Sequence, residues 1–248
     1  LLGSRVQAAA GALRPWAHGW ALDPSHPATL EAGAEDVRRF RNWGFDLIKF
    51  DYTSFDALGR WGFQMGPRPA ADDVRVHDPR RTTAEVLVGL YRTIRDAAGP
   101  GVVLGKNTVG HLAAGLVHAQ RVGDDTSGRA WERTRRMGVN ALAFRLAQHR
   151  RFFAIDADVV MCTPRVPWAE VSQFLDLIAR SGTSLFVAID PALRSKEIAA
   201  DLSAALRLAL DGGTPGGVEP LDWMESTTPQ HWRVGGGAIT YDWFPEAG

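Results

Sequence analysis

The run NWGFDLIKFDY, Asn42 to Tyr52, decides the fold class. Gly44 stands where the end of a helix wants a residue able to take left-handed backbone angles, so a helix stops there and a strand begins. Residues 45–52 are short, apolar and rich in aromatic and branched side chains, and they end in charged groups, as a strand of a buried sheet does. With a period of two, Ile48 and Phe50 face one side and Lys49 and Asp51 the other. Upstream, residues 27–43 carry Leu30, Val37 and Phe40 at near-helical spacing. Trp43, closing that helix, reads as a core residue.

Working outward, helical and strand patterns alternate, the signature of a parallel sheet with crossover helices. Thr82 and Glu85 form a capping box, each side chain able to satisfy the other's unpaired backbone donor. The helix behind it has Leu87, Leu90, Tyr91 and Ile94 on one face and stops at Gly99-Pro100-Gly101. Strands are expected over 102–104, 118–122, 152–160 and 185–189, with a helical turn at 112–116. Helices are expected over 131–148 and 168–180, and a last one, capped by Ser195, runs to Leu210. After Gly213 the pattern changes to proline, glycine and tryptophan with short β-like runs at 231–234 and 238–243. The expected organisation is therefore α/β: residues 1–213 as a (β/α)8 TIM-type barrel represented only by its later part, about strands 4–8, and residues 214–248 as the beginning of a C-terminal all-β domain. Residues 53–81 are the one long irregular stretch, too long for an ordinary connection and so a candidate functional loop carrying Arg60, Trp61, Phe63, Gln64 and Met65.

Composition bounds the function. The chain has 248 residues, 28 basic and 28 acidic, so no net field gathers nucleic acid or anionic lipid. No run of about 18 apolar residues exists to span a membrane. Cys162 is the only cysteine, which excludes an internal disulfide framework and suits a reducing cytoplasm. Residues 1–10 hold no apolar stretch of signal-peptide length, which leaves secretion open only if the true start lies upstream.

Polar groups gather at the ends of the expected strands: Lys49 and Asp51, then Lys106 and Asn107, then Arg121 with Asp124 and Asp125, then Asp156 and Asp158. In a parallel barrel those ends converge on one mouth, where active sites lie. Lys49 shares a strand face with Asp51 and is placed to keep it charged, as a nucleophile requires; a salt bridge bracing the barrel floor is the alternative. Repulsion between the adjacent Asp124 and Asp125 favours a proton on one of them, and Arg121 opposes it. An ionised carboxylate beside a protonated one is the pairing that glycoside hydrolysis uses.

On these residues, NWGFDLIKFDY with the upstream LDPSHP and the later RVGDDTS and FFAIDADVV, the sequence resembles the catalytic barrel of the clan holding glycoside hydrolase families 27 and 36, the α-galactosidases and their relatives. The resemblance covers about residues 21–191. It implies Asp51 as nucleophile and Asp125, four residues after Arg121, as general acid/base of a retaining α-glycosidase. By the same resemblance Lys49, Arg121, Asp156 and Asp158 line or support the sugar site. Asn107 falls where many relatives carry a cysteine-containing motif that helps recognise galactose, so the preferred sugar differs or is open. Relatives often have proline or a small residue where Asp124 stands, which leaves open which of the two acids donates the proton. Trp16 and Trp61 are the tryptophans best placed to offer a flat face to a sugar. The implied substrate is an α-linked oligosaccharide or glycoside, and the carboxylates supply both nucleophile and proton, so no metal or organic cofactor is called for. Relatives often assemble, which extends the expectation to a homo-oligomer. Asp51 comes too early for three ordinary βα units to precede it, so Leu1 is read as an internal start or the barrel as one completed by another chain.

Two other readings stand beside this one. A non-catalytic or inactive sugar-binding barrel fragment would keep the same motifs. A magnesium-dependent phosphotransferase of the haloacid dehalogenase type is imitated by AIDADVV and by Gly123-Asp124-Asp125, but in the reverse order. The seven histidines form no pair at metal-ligand spacing and are read as structural.

Overall fold

The computed structural model of the chain describes residues 15–16, 19–20, 22–58 and 76–244. Five strands form one parallel sheet in the order β3 (Leu47–Phe50), β4 (Val102–Gly105), β5 (Ala119–Arg121), β6 (Ala154–Cys162), β7 (Ser184–Ile189). Helices α1 (Pro27–Asn42), α3 (Thr83–Ala98), α7 (Trp168–Ser181) and α8 (Lys196–Leu210) alternate with them. This is a partial (β/α) barrel, joined by a three-stranded antiparallel sheet of β8 (Val218–Pro220), β9 (His231–Val234) and β10 (Gly237–Thr240). A two-stranded pair, β1 (Pro15–Trp16) and β2 (Gly19–Trp20), precedes α1. Among the described residues no helix is long and apolar enough to cross a membrane.

The chain forms two compact units that meet in sequence inside β5, one up to Gln120 and the other from Arg121 onward. In the first, β3 pairs with β4 from Leu47↔Val102 to Phe50↔Gly105. Ile48 is buried and the Phe50 ring lies 5.9 Å from that of Tyr91 on α3, so this face of β3 packs on the helix layer and Lys49 and Asp51 point the other way. The capping box is present in full: Glu85 N–H donates to Thr82 Oγ1 at 3.2 Å and Thr82 N–H to Glu85 Oε2 at 2.7 Å. Helix α1 begins at Pro27 behind His26, whose Nδ1 accepts from Ala28 N–H at 3.1 Å.

In the second unit the core is built by Ile155, Ala157 and Val160 of β6 against Phe174, Leu177 and Ile178 of α7. Trp232 and Trp243 are buried too, and Gln173 and Asp176 of α7 bond the segment after β10, Asp176 accepting from Tyr241 Oη at 2.8 Å. Burial first, and then the Asp176 carboxylate beside it, pushes the Tyr241 phenol far above its usual range.

Several expectations are corrected. Trp43 is 64% exposed; it follows the helix rather than lying on its inner face, and its ring rests outside on Phe40 (5.4 Å) and the Arg39 guanidinium (5.7 Å). Residues 131–148 are helical but not one helix: α5 (Trp131–Thr134) widens to a π-helical turn at Arg135–Val139 before α6 (Asn140–Arg145) and a 3-10 turn at Leu146–Gln148. The fourth strand end is displaced: β6 runs on to Cys162, so Asp156 and Asp158 lie inside it, and at Asp158 the backbone is left-handed (φ 78°) where the register against β7 shifts between Asp156 and Val159. Helix α2 (Thr53–Leu58) opens the stretch read as irregular; Arg60, Trp61, Phe63, Gln64 and Met65 lie outside the described residues. The short helix expected at 112–116 is α4 (Gly110–Ala113).

Candidate active site

Each unit places one acid-bearing cluster at a strand end. In the first, the β3–β4 ladder runs one step past the strands, Lys106 N–H donating to Phe50 O at 2.9 Å, and this sets Asp51 beside Asn107. Tyr52 and Asn107 both take left-handed angles (φ 66° and 51°), so the chain turns sharply out of both strands at the same level. Such a conformation costs a non-glycine residue about 1–3 kcal/mol and persists where neighbours hold it. Here they do: Thr53 Oγ1 and Ser54 N–H both donate to Asn107 O at 3.0 Å. Asp51 Oδ1 accepts from Asn107 Nδ2 at 2.6 Å and from Tyr52 N–H at 2.7 Å, while Oδ2 lies 3.6 Å from Lys106 Nζ. The carboxylate is thus oriented through both oxygens and still 23% exposed.

Sequence reasoning paired Asp51 with Lys49. The ion pair comes instead from Lys106 on the neighbouring strand, and Lys49 is exposed on the same face. Strand spacing explains the exchange: same-face neighbours along one strand are about 6.6 Å apart, whereas adjacent strands are about 4.8 Å apart, so the lateral neighbour is the nearer one.

In the second unit the cluster is built around Arg121. Val122 N–H donates to Asp156 O at 3.0 Å, continuing β5 onto β6. The Arg121 fork meets Asp156 through Nε at 2.9 Å, Asp158 through Nη2 at 2.6 Å and Asp125 through Nη1 at 3.6 Å. Asp156 and Asp158 are completely or almost completely buried, at 0 and 2% exposure, whereas the Asp125 side chain is 56% exposed. The left-handed turn at Asp158 lets its N–H donate to Asp156 Oδ1 at 2.8 Å, so both acids reach one guanidinium. Asp158 Oδ2 also accepts from Thr126 N–H at 2.6 Å and Thr126 Oγ1 at 3.0 Å, tying the loop that carries Asp125 to β6.

Asp124 and Asp125 are separated by their partners. Asp124 Oδ2 meets Arg133 Nη2 at 3.0 Å and its Oδ1 accepts Asp125 N–H at 2.8 Å, while Arg133 Nε donates to Asp125 O at 2.8 Å. Asp124 and Arg133 therefore brace the backbone of the loop, and Asp125 carries its carboxylate toward Arg121. Arg133 and Thr126 were not singled out from sequence. Thr126 lies within the quoted RVGDDTS, but only the fold shows what its hydroxyl holds. Gly123 sits against the π-helical turn, where a Cβ would come within 2.2 Å of Met137 O.

Of the remaining expected residues, Trp16 belongs to β1, and Trp61 lies outside the described residues. Among the described residues no group of three or more His, Cys, Asp and Glu side chains is arranged to hold a metal, and in the acid-rich cluster the Arg121 guanidinium occupies the centre. His118 and His149 have structural duties: His118 Nδ1 accepts from Val103 N–H at 2.9 Å and His149 Nδ1 from Ile155 N–H at 3.2 Å. Burial first, then a nearby arginine, holds each imidazole below its usual range.

The chain is similar in fold to several solved structures. The α-galactosidase TtGalA of Thermus thermophilus in complex with p-nitrophenyl α-D-galactopyranoside matches at a TM-score of 0.66 and 21% identity, over 97% of this chain and 47% of its own. The same enzyme in complex with stachyose matches at 0.58 and 21%, over 83% and 45%. A family 27 β-L-arabinopyranosidase of Geobacillus stearothermophilus matches at 0.60 and 14%, over 86% and 48%. What the chain shares with them is the (β/α) barrel fold. The chain spans about half the length of the solved structures it matches. No family model matches the sequence, and no curated protein matches it. In barrels of this kind the strand ends bear the chemistry, and the Asp51 and Arg121 clusters both stand at strand ends.

Proposed function

We propose that this chain carries the catalytic carboxylates of a retaining, α-galactosidase-like α-glycoside hydrolase, with residues 1–213 contributing to the catalytic barrel and 214–248 opening a β domain. Asp51 is the nucleophile and Asp125 the general acid/base. The observation that carries the reading is the unequal exposure of the acids: two of the three carboxylates around Arg121 are buried and committed to it, while Asp125 and, at the other strand end, Asp51 keep access to solvent.

In the first step an Asp51 oxygen attacks the anomeric carbon as the bond to the leaving oxygen breaks, and the Asp125 proton passes to that oxygen. A covalent glycosyl ester results. In the second, the Asp125 carboxylate takes a proton from water, the water oxygen attacks the anomeric carbon, and the ester bond to Asp51 breaks. Two inversions retain configuration, which requires the carboxyl groups about 5–5.5 Å apart. Asn107 and Tyr52 N–H orient Asp51 for attack, and Arg121 holds Asp125 while Asp156 and Asp158 hold Arg121. A neutral α-galactoside is the first substrate to test, since the similar Thermus enzyme is bound to two of them.

The test is hydrolysis of p-nitrophenyl α-D-galactopyranoside. Asp51→Asn and Asp125→Asn are each expected to lower kcat by about 10²–10⁴ or more, with α-galactose as the first anomer seen by proton NMR. Undiminished turnover in either variant, or β-galactose released first, overturns the assignment.

A further inference from the structure

A cavity of about 480 Å³ lies wholly within the second unit, between the helical stretch ending at His149 and the segment that holds β8. None of its lining residues belongs to the Arg121 cluster; Arg151, at its wall, precedes β6, ahead of Asp156 in the chain. The platform is aromatic. Phe144 and Trp223 meet edge to face with ring centroids 6.4 Å apart, and they remain 45% and 49% exposed. The polar groups at the same wall are of opposite sign, the Arg151 guanidinium and the Glu219 carboxylate, the latter already paired through Oε2 with Arg233 at 2.7 Å. His149 also lines the cavity and adds no third charge near neutral pH, because burial lowers its pKa.

These features select a ligand by elimination. A wholly apolar molecule would strip water from Arg151 and Glu219 and give nothing back. A cation would be opposed by Arg151, while an anion drawn to Arg151 would also be set beside the Glu219 carboxylate, whose charge Arg233 offsets in part. What remains is a neutral molecule with one apolar face to lie on an aromatic ring and an edge of hydroxyls that can both accept from a guanidinium and donate to a carboxylate. A pyranose ring has that form, and the volume falls in the range of small-molecule sites. We propose that this cavity is a second carbohydrate site, for a neutral oligosaccharide, with Trp223 as the stacking platform and Arg151 and Glu219 as the hydroxyl partners.

The test does not depend on turnover. Protein labelled at the indole nitrogens, with Asp51→Asn to keep the sugar intact, is titrated with stachyose and the Trp223 Nε1–H resonance is followed by NMR. The expected result is a saturable shift in the millimolar range, weakened about tenfold by Arg151→Ala and by Glu219→Gln, each a hydrogen bond to a charged group. Three results overturn the proposal: an unmoved Trp223 resonance, a shift that glycerol reproduces at equal concentration, or a shift that survives both substitutions. A change in sedimentation coefficient on Trp223→Ala together with an unmoved resonance would assign the surface to a protein contact instead. Loss of hydrolysis in the variants at Asp51 or Asp125 leaves this titration untouched, so the two proposals fail separately.

Discussion

The two strand-end clusters follow opposite electrostatic plans. In the first unit a single carboxylate, Asp51, is held by a neutral amide at 2.6 Å and an ammonium at 3.6 Å, and it keeps contact with solvent. In the second, a guanidinium and two carboxylates are buried together, and a third carboxylate, Asp125, projects outward from them. A buried charge is tolerable only when paired, and a buried set is strongly destabilised by loss of one member. A partly solvated acid is free of that constraint and available for chemistry. The Arg121 set is thus a scaffold that holds a partly exposed acid at its edge, whereas around Asp51 the partly exposed acid is itself the centre; in the proposed function these two acids are the reactive groups.

This contrast can be broken at several points, the largest first. Arg121→Ala leaves Asp156 and Asp158 buried without a counter-charge and is expected to cost about 3–5 kcal/mol of stability, measured by urea unfolding. A loss below about 1 kcal/mol would mean that the set is not the scaffold described. Asn107→Ala removes one charge-assisted bond to Asp51 and asks alanine to adopt left-handed angles. About 1.5–3 kcal/mol is expected, again by urea unfolding, with less disturbance of the second unit. Gly123→Ala drives a Cβ toward Met137 O, a backbone atom that cannot turn aside, and should cost about 1–3 kcal/mol with a matching fall in Tm.

The smallest effect is a pH dependence shared by both units. His118 and His149 each accept a backbone N–H of a strand and have folded pKa values below their unfolded ones, chiefly through burial. The unfolded chain therefore binds more protons as the pH falls, so the stability tied to each ring is complete above about pH 6.5 and is lost below it, toward the lower folded pKa. Replacing both by glutamine, which can still accept through its amide oxygen, should flatten the fall in Tm between pH 7 and 5. An unchanged acid limb would show that neither ring matters.

Much of this was legible in advance because it depends on local rules. The capping box at Thr82 and Glu85, the Gly44 stop and the alternation of Ile48, Lys49, Phe50 and Asp51 are set by backbone donors and a period of two, which any chain of this pattern must obey. Other features were not. Trp43 was misread because apolarity says that a ring prefers cover, not whether the fold supplies it. The π-helical turn at Arg135–Val139 answers to Gly123 and to Phe174 of α7, where Gly138 leaves room for the ring, and these contacts are distant in sequence.

The sequence alone determined which residues could act as acids and bases, that Asp51 and Arg121 stand at strand ends, and that the strands are parallel with helical crossovers, because these follow from residue chemistry and periodicity; Asp156 and Asp158, expected at a strand end, lie inside β6. Only the tertiary structure decided their partners: Lys106 rather than Lys49 beside Asp51, Arg133 beside Asp124, and the Asp158 turn that brings two acids to one guanidinium. Pairing across strands and loops is a matter of lateral distances of a few ångströms, and such distances are fixed by register and packing, which no spacing along the chain encodes.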